Sequence, residues 1–148
     1  MAGAARLADL QARLAVFPEG LRRTMVAHGL ATPMPWKAAR QLIHRDAGLL
    51  CREIQVEACY RLLLVLAGLN RRYFTRFQVK RMARLAQRLA LAPAHLAERI
   101  DGLLAAEPAT AFASLHALEG EVIELVAREW PDLDLHAVQQ RRAAFARP

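Results

Sequence analysis

Lysine is almost missing from this chain: Lys37 and Lys80 are the two lysines among 21 basic residues, and arginine supplies the rest. Glycine is sparse and nowhere clustered, with seven in 148 residues. A glycine-rich loop cradling phosphates is therefore excluded. Cysteine is limited to Cys51 and Cys59. Eight residues apart, they fall about 80° out of line at ~3.6 residues per turn, too poorly placed to bridge or share a metal. Both sit in apolar surroundings and read as buried thiols, an intracellular pattern that predicts a cytoplasmic protein. Valine, isoleucine, threonine and tyrosine never alternate over a strand length, so no sheet is expected. The longest charge-free apolar run, Leu62 to Leu69, is far below the ~20 residues of a membrane span. The N-terminus "MAGAARLADLQARLAVF" has charges every few residues and no signal-peptide core.

What the chain does have is alanine, leucine and arginine in helical spacing. Hydrophobic residues make up 55%, enough for a packed core, and the net charge is +7. Leucines 7, 10 and 14 mark a first, peripheral helix within residues 1–17. Pro18 and Glu19 open a second helix, with Gly29 as its expected C′ residue. "ATPMP" (31–35) is a turn, and Pro35 starts a third helix. After a break near Gly48, a long helix runs from about 49 to 69. Its second half is apolar on all sides, the mark of a central helix.

Thr75 is the expected N-cap of the next helix. There Val79, Met82, Leu85, Ala86 and Leu89 share one face, and Arg76, Lys80, Arg84 and Arg88 form another, four apart each time. Pro93 opens a sixth helix, with Leu96, Ile100, Leu103 and Leu104 inward. Pro108 opens a seventh, carrying Phe112, Leu115, Leu118, Val122, Ile123, Leu125 and Val126. "WPDLD" is a turn, with Asp134 capping a last helix from 135 to 145. The expected architecture is one all-α domain over 1–148, an antiparallel bundle of about seven to eight helices with short connections.

One segment stands out chemically. Between Ala58 and Ala97 there are eight basic residues (61, 71, 72, 76, 80, 81, 84 and 88) and no acidic one. Such a block makes a positive field able to hold phosphates, and Tyr73, Phe74 and Phe77 offer stacking surfaces. The alternative is a solvated face whose arginines pair with acids elsewhere, such as Glu119, Glu121 and Glu124. Glu53 and Glu57 lie i, i+4 on the long helix, where Glu57 is placed to pair with Arg61. The five histidines follow no metal-ligand spacing, so neither metal nor cofactor is expected.

"LLLVLAGLNRRYF", followed by "FQVKRM" and "LAP", resembles the C-terminal helical region of bacterial nucleotidyltransferase-like proteins of the kanamycin-nucleotidyltransferase type. "FPEGLRRTMV", "HRDAGLL" and "ALEGEVIELVAREWPDLD" fit the same region, so the resemblance spans 17–135. In that family a separate α/β domain holds metal and nucleotide through a Gly-Ser motif and paired aspartates. The helical domain closes the cleft. Neither motif is present here.

The resemblance implies a non-catalytic binding module, with Asn70, Arg71, Arg72, Tyr73 and Lys80 facing the cleft. The basic stripe adds Arg76, Arg84 and Arg88. Its partner is expected to be a catalytic chain of nucleotidyltransferase fold or an anionic ligand such as a nucleotide. Nucleic acid is a less favoured partner.

A second pattern lies in "RTMVAH". Arg23 and His28, four residues between them on a helix, resemble the pair of HEPN-type ribonucleases, in which histidine serves as base and arginine stabilises phosphate charge. That makes a ribonuclease or RNA-binding bundle the alternative function. A structural homodimer burying apolar patches is the other.

Overall fold

The computed structural model describes residues 2–31 and 36–146. Among them are eight α-helices and no strand, an all-α bundle. The helices are α1 (Ala2–Ala15), α2 (Glu19–Ala31), α3 (Trp36–Leu42), α4 (Gly48–Leu69), α5 (Met82–Ala86), α6 (Leu96–Ala105), α7 (Pro108–Glu129) and α8 (His136–Ala146). A 3₁₀ segment, Arg76–Arg81, precedes α5. Residues 32–35 of the expected turn, and Pro35 as a helix start, lie outside the described residues.

α4 is the axis of the bundle. From Ala58 to Leu69 nearly every side chain is buried or half-buried, as expected of a helix apolar on all sides. α2 packs along it antiparallel through two glycines. Gly29 of α2 sits against Val65 and the Arg61 carbonyl, and Gly68 of α4 against Met25 and Val26. Gly29 therefore does not end its helix as expected. It lies inside α2, where a missing side chain lets two backbones approach.

α7 covers another side of α4, and all seven of its expected inward residues are buried. Pro108 does open it at N1, the position where a missing N–H leaves nothing unpaired. Pro93, by contrast, lies in the loop before a turn at 94–95. His95 takes a left-handed conformation (φ 55°) and α6 begins only at Leu96.

Two polar clusters tie the layers together. Arg52 of α4 donates to the carbonyls of Leu103 and Ala106 at the end of α6, and to Gln55 Oε1. A cation is favourable there because the last carbonyls of a helix carry partial negative charge. Gln55 is fully buried and donates to the Pro108 carbonyl. On the far side Trp36 of α3 is buried, edge-on to Phe112 and His116, and donates to Glu119 Oε2 at 3.1 Å. Arg142 of α8 sits with Nε 3.0 Å from the same Glu119 and donates to the His116 carbonyl, while Arg141 caps the Leu30 carbonyl.

Burial pushes the Glu119 carboxyl above its usual range, opposed by Arg142 and the Trp36 N–H. His116 is pushed below the ordinary imidazole value, chiefly by burial. Cys51 and Cys59 are free and buried, and burial pushes the Cys59 thiol up to about 12.

α1 stands apart. Leu7, Leu10 and Leu14 are 57%, 45% and 59% exposed, so its apolar stripe faces solvent. No helix of the described residues is long and apolar enough to cross a membrane.

Candidate functional site

The site is built by the chain that leaves α4. The helix ends in a Schellman turn: Arg72 N–H donates to the Ala67 carbonyl and Arg71 N–H to that of Gly68. The C′ position of this turn favours glycine. Here Arg71 occupies it, at φ 51°. Forcing an L side chain into the left-handed region costs roughly 1–2 kcal/mol. The turn aims Arg71 back over α2, where it lies 3.6 Å from Glu19.

Asn70, the C-cap, clamps the far end of the segment. Its Nδ2 donates to the carbonyls of Leu66 (2.7 Å) and Leu91 (2.8 Å), and its Oδ1 accepts the Leu91 N–H (2.8 Å). Between these anchors Thr75 precedes the 3₁₀ turn, and the Gln78 side chain accepts the Thr75 N–H. Thr75 thus caps a helix, as expected, but a 3₁₀ one. Leu85 and Leu89 pack on the core, so the strap has an inner apolar side and an outer basic one.

The strap and the end of α1 enclose a cleft of about 830 Å³. Arg71, Arg72, Lys80, Arg81, Arg84 and Arg88 line it with cations, and all six are exposed. Among the described residues, Arg71 is the one of the six with a carboxylate within 4.0 Å. Leu14, Ala15 and Phe17 form the opposite wall. Phe17 and Tyr73 rings meet at 4.9 Å, tilted by 51°. Phe77, also in the lining, is 84% exposed.

Six of the eight residues expected from sequence line this cleft: Arg71, Arg72, Tyr73, Lys80, Arg84 and Arg88. Asn70 does not, because its side chain is taken up by the Leu66 and Leu91 backbone. Arg76 does not either. It pairs with Glu57 at 2.6 Å and stacks on Tyr60 at 4.4 Å. The stripe 76/80/84/88 presumed 3.6 residues per turn throughout. In a 3₁₀ turn residues four apart are about 120° apart, so Arg76 and Lys80 part ways. Arg81 and Phe77 join the lining although both lie off that stripe, and Phe17 comes from another helix end.

The expected pairings of basic block with distant acids also rearrange. Glu57 does hold Arg61 (3.5 Å), together with Arg76. Glu119 and Glu121 hold Arg142 and Arg99 instead, neither of them in the strap. Arg23 and His28 lie on α2, outside the lining, and about 140° apart around its axis at ~3.6 residues per turn. The Arg23 guanidinium sits over the Trp130 ring at 5.3 Å.

Compared with known protein families, characterised proteins and solved structures, the chain shows no match. Among the described residues no group of three or more His, Cys, Asp or Glu is arranged to hold a metal ion.

Proposed function

We propose that the chain is a binding module whose cleft takes a phosphate-bearing anion with a planar ring, as a nucleotide is. The observation that carries this is the lining itself: six exposed cations converge with Tyr73 and Phe77 in one cleft, and among the described residues one carboxylate, Glu19, lies within 4.0 Å of any of the six. Arginine forks suit phosphate oxygens, and ring faces suit a base. The volume lies within the ~300–1,000 Å³ of small-molecule sites. The lining residues supply charge and stacking surface, with no imidazole or carboxylate among them to move a proton. The resemblance to the helical half of nucleotidyltransferases supports the same ligand class. In that reading a separate chain would bring any catalytic groups.

Titration calorimetry with ATP, pyrophosphate and adenosine tests the proposal. ATP should bind more tightly than adenosine, and R84A/R88A should weaken ATP by tenfold or more. If none of the three binds, or if the double variant binds ATP unchanged, the proposal fails.

A further inference from the structure

The charge and the aromatic surface of the cleft both exceed what one nucleotide can use. A nucleoside triphosphate carries at most about four negative charges and one base. The cleft presents six cations, of which only Arg71 has a carboxylate within 4.0 Å among the described residues. It also presents two rings in reach of solvent, Tyr73 at 40% and Phe77 at 84% exposure. A phenylalanine left that exposed forgoes the gain of burial, which a stacked base would recover. Single-stranded nucleic acid combines the two features the cleft has in surplus. It carries one charge per phosphate, repeated along the chain, and unpaired bases whose faces stack on aromatic side chains.

We propose that the cleft binds single-stranded nucleic acid, with phosphates along the arginine-lysine wall and bases on Phe77 and Tyr73. This rests on the reading of the cleft as an anion site and names its ligand class. A duplex does not serve, because its bases are stacked on each other and cannot cover Phe77. Nor is the wall a reader of base identity: guanidinium and ammonium groups meeting phosphates carry no sequence information. The binding is therefore sequence-tolerant and strongly salt-dependent.

Fluorescence anisotropy with the full chain decides it. The probes are labelled oligo(U) and oligo(dT) of about twelve nucleotides, within the ~4–16 of single-strand sites, a duplex of equal length, and a fluorescent ATP analogue. Each is measured between about 50 and 200 mM salt. With five or six phosphates neutralised, log Kobs for the single strands should fall with log[salt] at a slope of roughly −3.5 to −4.2. R84A/R88A should make that slope shallower by about 1.4. Phe77→Ala should weaken the strands about five- to hundredfold with the slope unchanged. Arg128→Ala, on α7 and outside the cleft, should alter neither.

An ATP analogue bound as tightly as the strands overturns the strand assignment while upholding the nucleotide reading. A duplex bound as tightly as the strands, or strand binding indifferent to Phe77→Ala, overturns it too. If nothing binds, both readings fall. Comparing oligo(U) with oligo(dT) distinguishes RNA from DNA.

Discussion

Asn70 and Leu91 hydrogen-bond in both directions, side-chain amide to backbone, each at 2.8 Å. One side chain thus closes a 21-residue excursion, the segment that carries every cation of the cleft. Asn70 does not line the cleft, yet it sets where the strap returns to the core.

Asn70→Ala should therefore act on both stability and binding. It leaves the Leu91 N–H and carbonyl unpaired in a half-buried place, at about 1–3 kcal/mol. Chemical unfolding should show that loss. Amide exchange should quicken over 71–91 before the rest of the bundle, because a strap with one anchor opens locally. A variant in which the strap stays as protected as α4 would remove Asn70 from this role.

Arg71 offers a trade of stability against binding. Glycine at φ 51° avoids the left-handed penalty of roughly 1–2 kcal/mol, but loses about 0.5–1 kcal/mol to chain entropy. Arg71→Gly should accordingly be as stable as the parent or up to about 1.5 kcal/mol more so. Anion binding at the cleft should weaken. A strained cation retained where glycine is easier is the pattern expected when the side chain has work to do. Equal binding by the glycine variant would count against the arginine.

The two internal glycines of α2 and α6 should respond oppositely to alanine. A Cβ on Gly29 would sit 2.5 Å from Val65 Cγ2 and 3.0 Å from the Arg61 carbonyl oxygen. Gly29→Ala should destabilise by about 1–3 kcal/mol as α2 is pushed off α4. A Cβ on Gly102 meets nothing within 4 Å. Gly102→Ala should stabilise by about 0.4–1 kcal/mol through the unfolded chain. Thermal unfolding of the pair measures both.

Acid should act on the α3–α7–α8 contact through two groups of opposite sign. His116 is held below its ordinary value of 6.5, first by burial and also by the Arg142 charge. Its neutral form stabilises the fold above that value, and the contribution is lost as pH falls through the depressed folded-state value. Glu119 is held above its ordinary 4.5, first by burial. Its contribution is present at low pH and is lost as pH rises through the raised value. His116→Gln should therefore flatten the stability profile on the acid side of neutrality. Glu119→Gln, which keeps an acceptor for the Trp36 N–H, should gain on the parent as pH rises above about 4.5. Melting temperatures across pH 4 to 8 check each sign, and a profile unchanged in both variants would refute the assignment.

Helix positions were largely legible because burial imposes a period. Leu115, Leu118, Val122, Ile123 and Val126 recur at 3.6-residue spacing and are all buried in α7. Proline at 108, which has no N–H to leave unpaired, and Asp134, whose Oδ1 accepts the His136 N–H, mark helix starts by local chemistry. Gly29 and Pro93 misled for the converse reason. A glycine can end a helix or let two helices touch, and local sequence does not distinguish the two.

The basic block from 61 to 88 is visible as charge: the chain alone determines that a positive, aromatic-bearing segment follows a buried helix. Which of its residues act together was decided by tertiary structure. The 3₁₀ turn rotates Arg76 away from Lys80 and onto Glu57 and Tyr60. Asn70 is drawn into the Leu91 backbone. Phe17, at the end of α1, is brought against Tyr73 from 56 residues away. Charge and hydrophobic period are properties of neighbouring residues and can be read along the chain. The helical twist of one turn and the return of a distant segment depend on how the whole bundle packs, and the cleft is made from those.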